Sequence, residues 1–197
     1  SPAYVFPKIS TGKETAPYGA APDDAPIYAA WGLGHPLLPD AEKVSNDVSF
    51  PELGQVTLVT GSNMAGKSVF LKTVAVSLVL AYAGGPVSAR RLHTKPLRIF
   101  TCMGIRDSVT DGISYFYAEV KRLKALLDAL QADDPMPLFF CIDEIFRGTN
   151  NRERLAGSRA YIRALAGQCG VGLIATHDLD LARLADDLPQ VRNVHFR

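Results

Sequence analysis

The stretch TGSNMAGKSVFLK, residues 60–72, restricts the fold more than any other part of this chain. An apolar run that reads as a strand, QVTLVT, leads into it, and an apolar run that reads as a helix, VFLKTVAVSLVLAYA, leads out. Between them lies Gly61-x-x-x-x-Gly66-Lys67-Ser68, the spacing of a phosphate-binding loop. Two glycines let the backbone turn tightly and aim successive N–H groups inward, and the helix adds its unpaired N-terminal donors and the positive end of its dipole. Such a nest prefers an anion. Gly61, Ser62, Asn63, Met64, Ala65 and Gly66 would surround the phosphates, Lys67 would reach the β- and γ-phosphates of ATP, and the Ser68 hydroxyl would join the shell of a Mg²⁺ ion. The plainer alternative is a strand-to-helix turn that happens to contain Gly and Lys.

A length of 197 residues, 47% of them apolar, is enough for one full-sized domain with its own core. With 21 basic against 20 acidic residues the net charge is +1, so no global charge marks the chain as a nucleic-acid or membrane binder. Cys102, Cys141 and Cys169 lack metal-ligand spacing and read as buried free thiols. The helical run after the glycine loop is interrupted by Lys72 and is too short to span a bilayer comfortably, which predicts a helix packed on a sheet and no membrane contact from this segment. The opening Ser-Pro, without a charged-then-apolar leader, reads as the start of a piece of a longer polypeptide.

Residues 1–31, rich in Pro, Ala and Gly, read as a lead-in segment with room for one edge strand, and residues 32–197 as a single domain. Short strands and turns are expected from 32 to 54. Arg90, Arg91, Lys95 and Arg98 form a basic stretch whose simplest reading is a solvated surface, with a DNA or partner contact as the alternative. Phe116, Val120, Leu123, Leu127 and Leu130 recur at helical spacing. LFFCID and VGLIAT are apolar throughout, as strands buried on both faces are, so the fold class is α/β with a mainly parallel central sheet flanked by helices and a small β-rich N-terminal part. Its loops of interest lie at the carboxyl ends of the strands.

Two of those ends carry chemistry. Asp143 and Glu144 close LFFCID; Asp143 would hold Mg²⁺ and Glu144 would be the general base for an attacking water, unless both are solvated loop residues. His177 closes VGLIAT, where a γ-phosphate sensor competes with a merely structural histidine, and Asp178 suits the N-cap of the next helix. Ser114 precedes the amphipathic helix; it is a cap on local grounds, or an anion-binding hydroxyl that a second subunit presents to the γ-phosphate.

Taken in order, GHP (34–36), ND (46–47), TGSNMAGKS (60–68), DGISYFYAEV (111–120), IDEIFRGTN (142–150) and ATHDL (175–179) resemble the C-terminal ATPase domain of MutS-type DNA mismatch repair proteins, within the ABC-type P-loop NTPases. The resemblance covers roughly residues 32–182. It implies Mg²⁺-dependent ATP hydrolysis by Lys67, Glu144 and His177, with Ser68 and Asp143 on the metal and Val44 against the adenine. It also implies a homodimer in which Ser114 acts in trans and Gly148, Thr149 and Asn150 line the interface. DNA would be engaged by other domains of a cytoplasmic, nucleoid-associated full-length protein.

Ser62 and Ala65 stand where the family usually has Pro and Gly, and Lys43 where an aromatic residue is common. EIFRGTNNRER differs from the commoner mismatch-repair wording, and DGISYFYAEVKRLK resembles a divergent MutS-like branch. Two other readings share these motifs: a nucleotide-gated dimerisation module with negligible hydrolysis, and another ABC-type ATPase of recombination or chromosome maintenance. A transporter cassette is disfavoured, since DGISYFYAEV occupies the place of its LSGGQ-like signature.

Overall fold

A computed structural model describes residues 4–11, 25–104, 115–146 and 149–197, without the side chain of Tyr115. The chain begins with β1 (Tyr4–Val5) and β2 (Lys8–Ile9), then β3 (Tyr28–Leu33), β4 (Asn46–Phe50) and β5 (Val56–Gly61). Helix α1 (Lys67–Tyr82) leads to β6 (Val87–Ser88), β7 (Arg91–Thr94) and β8 (Arg98–Cys102). Then come α2 (Tyr115–Gln131), β9 (Leu138–Asp143), α3 (Asn151–Leu165) and β10 (Gly170–Thr176). A 3-10 turn (Leu179–Arg183), the short α4 (Leu184–Asp187) and β11 (Val191–Phe196) complete it.

The main sheet has the order β11-β5-β10-β9-β8, and all four pairings are parallel. The apolar runs of β9 and β10 and the complete burial of β5, threonines included, follow from this position: both faces of each strand are covered, leaving no solvent side. One face carries α1, whose Phe70, Leu71, Val74 and Leu78 pack with Val59, Phe139, Cys141 and Leu173. The other carries α2 and α3, with Leu123, Leu126, Tyr161, Ile162 and Leu165 against Leu58, Phe140, Ile142 and Ile174. Each such side chain contributes roughly 1.5–3 kcal/mol of burial free energy. A second sheet, β2-β7-β3-β4, shares the core cluster on the α1 side of the main sheet. Its Tyr28 and Phe50 rings reach Phe139 of the main sheet at centroid distances of 6.0 and 6.2 Å.

Several expectations change. Arg90 and Arg91 are exposed, as a solvated basic surface requires, but Arg91 opens a strand, Arg91–Thr94, that buries Leu92 and His93, and its guanidinium stacks on Trp31. Tyr28, within the segment read as a lead-in, is wholly buried and bonded to Ser77. On α2, Phe116 and Val120 are exposed and Leu126 takes a buried place. Cys102 and Cys141 are buried, whereas Cys169 is exposed because it precedes the first residue of β10. No helix among the described residues is long and apolar enough to cross a membrane.

Candidate nucleotide site

The loop from Gly61 to Ser68 joins the carboxyl end of β5 to the first turn of α1. It turns as two glycines and one exposed residue permit: Gly61 has φ 148°, Gly66 φ 89° and Met64 φ 67°. A Cβ at Gly66 would meet nothing within 4 Å, so this face of the loop is open. No side chain caps α1 and no acidic residue sits in its first turn. The helix itself therefore supplies neither a cap nor a negative charge to its leading amides. Lys67 is buried, and its Nζ donates to Gly61 O at 2.8 Å and Ser62 O at 2.7 Å, which places the ammonium beneath the loop.

Across from this loop, β9 and β10 end side by side. Asp143 closes β9, and its Oδ1 accepts the Ser68 hydroxyl at 2.9 Å, tying α1 to β9. Glu144 follows in the left-handed region, φ 66°, with its N–H donated to Ala175 O on β10 at 3.0 Å. Its Oε1 lies 2.9 Å from His177 Nδ1, so the carboxyl group from β9 and the imidazole from β10 form one unit. Asp178 does cap the following turn, accepting the Asp180 N–H at 3.1 Å, and its own N–H goes to Thr176 Oγ1. Lys67, Ser68, Asp143, Glu144 and His177 thus stand in one chain of loop and strand-end contacts.

Beside the loop lies a cavity of about 430 Å³, lined among others by His35, Val44, Ala65, Gly66, His195 and Phe196. Val44 is 77% exposed at its rim. Sequence reading missed the wall that β11 supplies. Thr60 Oγ1 holds that wall near the loop, 3.0 Å from Asn193 Oδ1 and 3.2 Å from His195 Nδ1. The available signal for this strand was its β-branched and aromatic content, Val191, Val194 and Phe196. Ser114 and Gly148 lie outside the described residues. Asn150 caps α3 by accepting the Glu153 N–H at 3.0 Å, and Thr149 donates to Glu153 Oε2.

The donor set fits a magnesium nucleotide. A hydroxyl and a carboxylate meeting at 2.9 Å are the hard oxygen ligands Mg²⁺ takes, and they stand beside an ammonium and an open glycine turn suited to phosphate oxygens.

Known proteins are similar to this chain in sequence. The family model described as MutS domain V matches residues 57–197. The DNA mismatch repair protein MutS of Natronomonas pharaonis is 35% identical over 174 residues, 86% of this chain and 20% of that one. DNA mismatch repair protein MutS 2 of Halobacterium salinarum is 36% identical over 169 residues, covering 84% of this chain and 19% of its own. The MutS of an Exiguobacterium species is 32% identical over 164 residues, 82% and 19% of the two chains. The chain therefore spans about a fifth of the length of the relatives it matches. From the loop-bearing strand to its last residue, this chain belongs to the MutS family through domain V.

Proposed function

We propose that this chain is the ATPase unit of a MutS-type DNA repair protein, a P-loop domain of ABC type that binds and hydrolyses ATP with Mg²⁺. The observation that carries this reading is the Ser68–Asp143 hydrogen bond, because it brings the end of the glycine loop and the acidic strand end to one point. Gly61 to Gly66 would cradle the phosphates, Lys67 would neutralise them, and Ser68 with Asp143 would hold the metal. Mg²⁺, when bound, would draw charge from the phosphate oxygens as the terminal phosphoryl group is transferred to water. Glu144 would accept the water's proton, and His177, 2.9 Å from its carboxyl, would orient that group. Val44 and the cavity beside the loop would take the base.

The unit would work as a dimer whose sites are completed in trans by Ser114, with residues 148–150 at the interface and nucleotide state controlling DNA engagement by other domains. On this reading the ATPase domain is residues 32–197 together with the start of β3, whose Tyr28 packs in the same core. Glu144→Gln in the full-length protein tests it: turnover should fall by about 10²-fold or more while ATP binding persists. Wild-type phosphate release from that variant would remove Glu144 as base. Nucleotide-dependent sedimentation without hydrolysis in the unsubstituted protein would favour the dimerisation module instead.

A further inference from the structure

Glu119 is an acidic residue in the apolar interior that the nucleotide reading leaves without a task. It lies on α2 and is 2% exposed, and its Oε1 accepts the backbone N–H of Phe146 at 2.7 Å. Phe146 is two residues beyond Glu144, and both have left-handed backbones, φ 56° and φ 66°. For residues with a Cβ that conformation is unfavourable and persists only where the surroundings hold it. The segment 144–146 is held at three points: the Glu144 N–H on Ala175 O, the buried Ile145 side chain, and the Phe146 N–H on Glu119. The Phe146 ring adds a fourth contact, lying between Phe116 of α2 at 6.4 Å and Tyr161 of α3 at 6.3 Å.

We propose that Glu119 is a positioning residue for Glu144: by fixing the Phe146 amide it keeps the intervening backbone turned so that the Glu144 carboxyl stays against His177. The inference rests on the reading of Glu144 as base. Burying a carboxyl group is costly, and a leucine of similar size would carry no such cost. What leucine cannot do is accept the Phe146 N–H, which would then be left near the core without this partner. Helix α2 opens at Tyr115, directly after Ser114, so the same bond joins the helix that a dimer contact would press upon to the backbone carrying the base. The Glu119–Phe146 bond therefore links helix α2 directly to the acidic loop.

The test compares Glu119→Gln, which keeps an Oε1 acceptor, with Glu119→Leu, which fills the space without one, in the full-length protein. ATP turnover, KM, nucleotide affinity and thermal midpoint are measured for both, with Glu144→Gln as the control. The expected result is a kcat within about threefold of wild type for Gln and a loss of about tenfold or more for Leu, with KM and ATP affinity held. Should the Leu variant not fold, Glu119→Asp, which withdraws the acceptor by one methylene, carries the same expectation. Wild-type kcat without the acceptor, equal losses in Gln and Leu, or a kcat loss matched by the loss of ATP affinity would overturn the proposal. Glu144→Gln turning over normally would instead sink the reading of the base itself.

Discussion

Replacing Gly172 by alanine separates two opposed effects whose balance the structure decides. In a strand interior, alanine normally stabilises relative to glycine, by about 0.4–1 kcal/mol, because the unfolded chain has less freedom to lose. Gly172 lies in β10 directly opposite Phe140 of β9, and the Phe140 ring leans across it. A Cβ on Gly172 would stand 2.2, 2.3 and 2.5 Å from ring atoms Cδ2, Cε2 and Cγ. The ring would have to retreat by more than about 1 Å to reach ordinary contact, and interiors packed at crystal-like density give little room for that.

Phe140 is 1% exposed and belongs to the cluster formed with Leu58, Ile142 and Ile174, so the displacement is passed to those neighbours. Overpacking of this kind costs about 1–3 kcal/mol, which leaves Gly172→Ala net destabilising by about 1–2 kcal/mol after the entropic gain. For a chain of this length that lowers the thermal midpoint by about 2–8 °C. Urea denaturation followed by far-UV circular dichroism measures the change directly, as a lower midpoint at unchanged slope. Combining it with Phe140→Leu should make the alanine less harmful, with a coupling of about 1 kcal/mol. A Gly172→Ala chain as stable as the parent, or more so, would show that the ring is not confined as described.

Three further outcomes follow from other parts of the molecule. Ser68→Ala removes the hydroxyl bonded to Asp143, so calorimetry should show affinity for ATP in EDTA nearly unchanged while the Mg²⁺ needed for half-saturation rises about tenfold; an unaltered Mg²⁺ requirement would take Ser68 off the metal. A thiol reagent at pH 8 should modify Cys169 alone in the native chain, and rapid labelling of Cys102 or Cys141 would contradict their burial. Burial pushes the Cys102 thiol from 9.0 up to about 11, so its neutral form adds stability below pH 9 that is lost as pH rises through 11; the denaturation midpoint should fall over that window.

The parts of this fold legible in the sequence are those where one physical requirement dominates. LFFCID and VGLIAT announce buried parallel strands because nothing polar could be accommodated on either face. The glycine loop announces itself because few residue types tolerate its turns. Where two requirements compete the text is harder to read. The strand Tyr28–Leu33 lies at the edge of a Pro- and Ala-rich stretch, and only the side chains it meets, Ser77, Phe50 and Phe139, make Tyr28 a core residue. Arg91 and Arg98 look like surface charge, yet Arg98 donates to Ala129 O and Met136 O and pairs with Asp134, while its neighbours carry the core. Glu119 reads as one more polar position on an amphipathic helix; its burial depends on a loop 27 residues away. Strand β11 shows neither alternation nor an apolar face, because only Val191 is buried and the four residues after it are exposed.

Strand β10 lies between β5 and β9, so the histidine-bearing end is a spacer as well as a participant. Neighbouring strands stand about 4.8 Å apart because backbone amides and carbonyls dictate it, and no side-chain substitution changes that pitch much. The lateral offsets among glycine turn, imidazole and acids are thus inherited from the peptide group. What remains adjustable is how far each loop reaches past its strand, so an engineer wishing to alter this machinery should change lengths and turns there before touching the sheet.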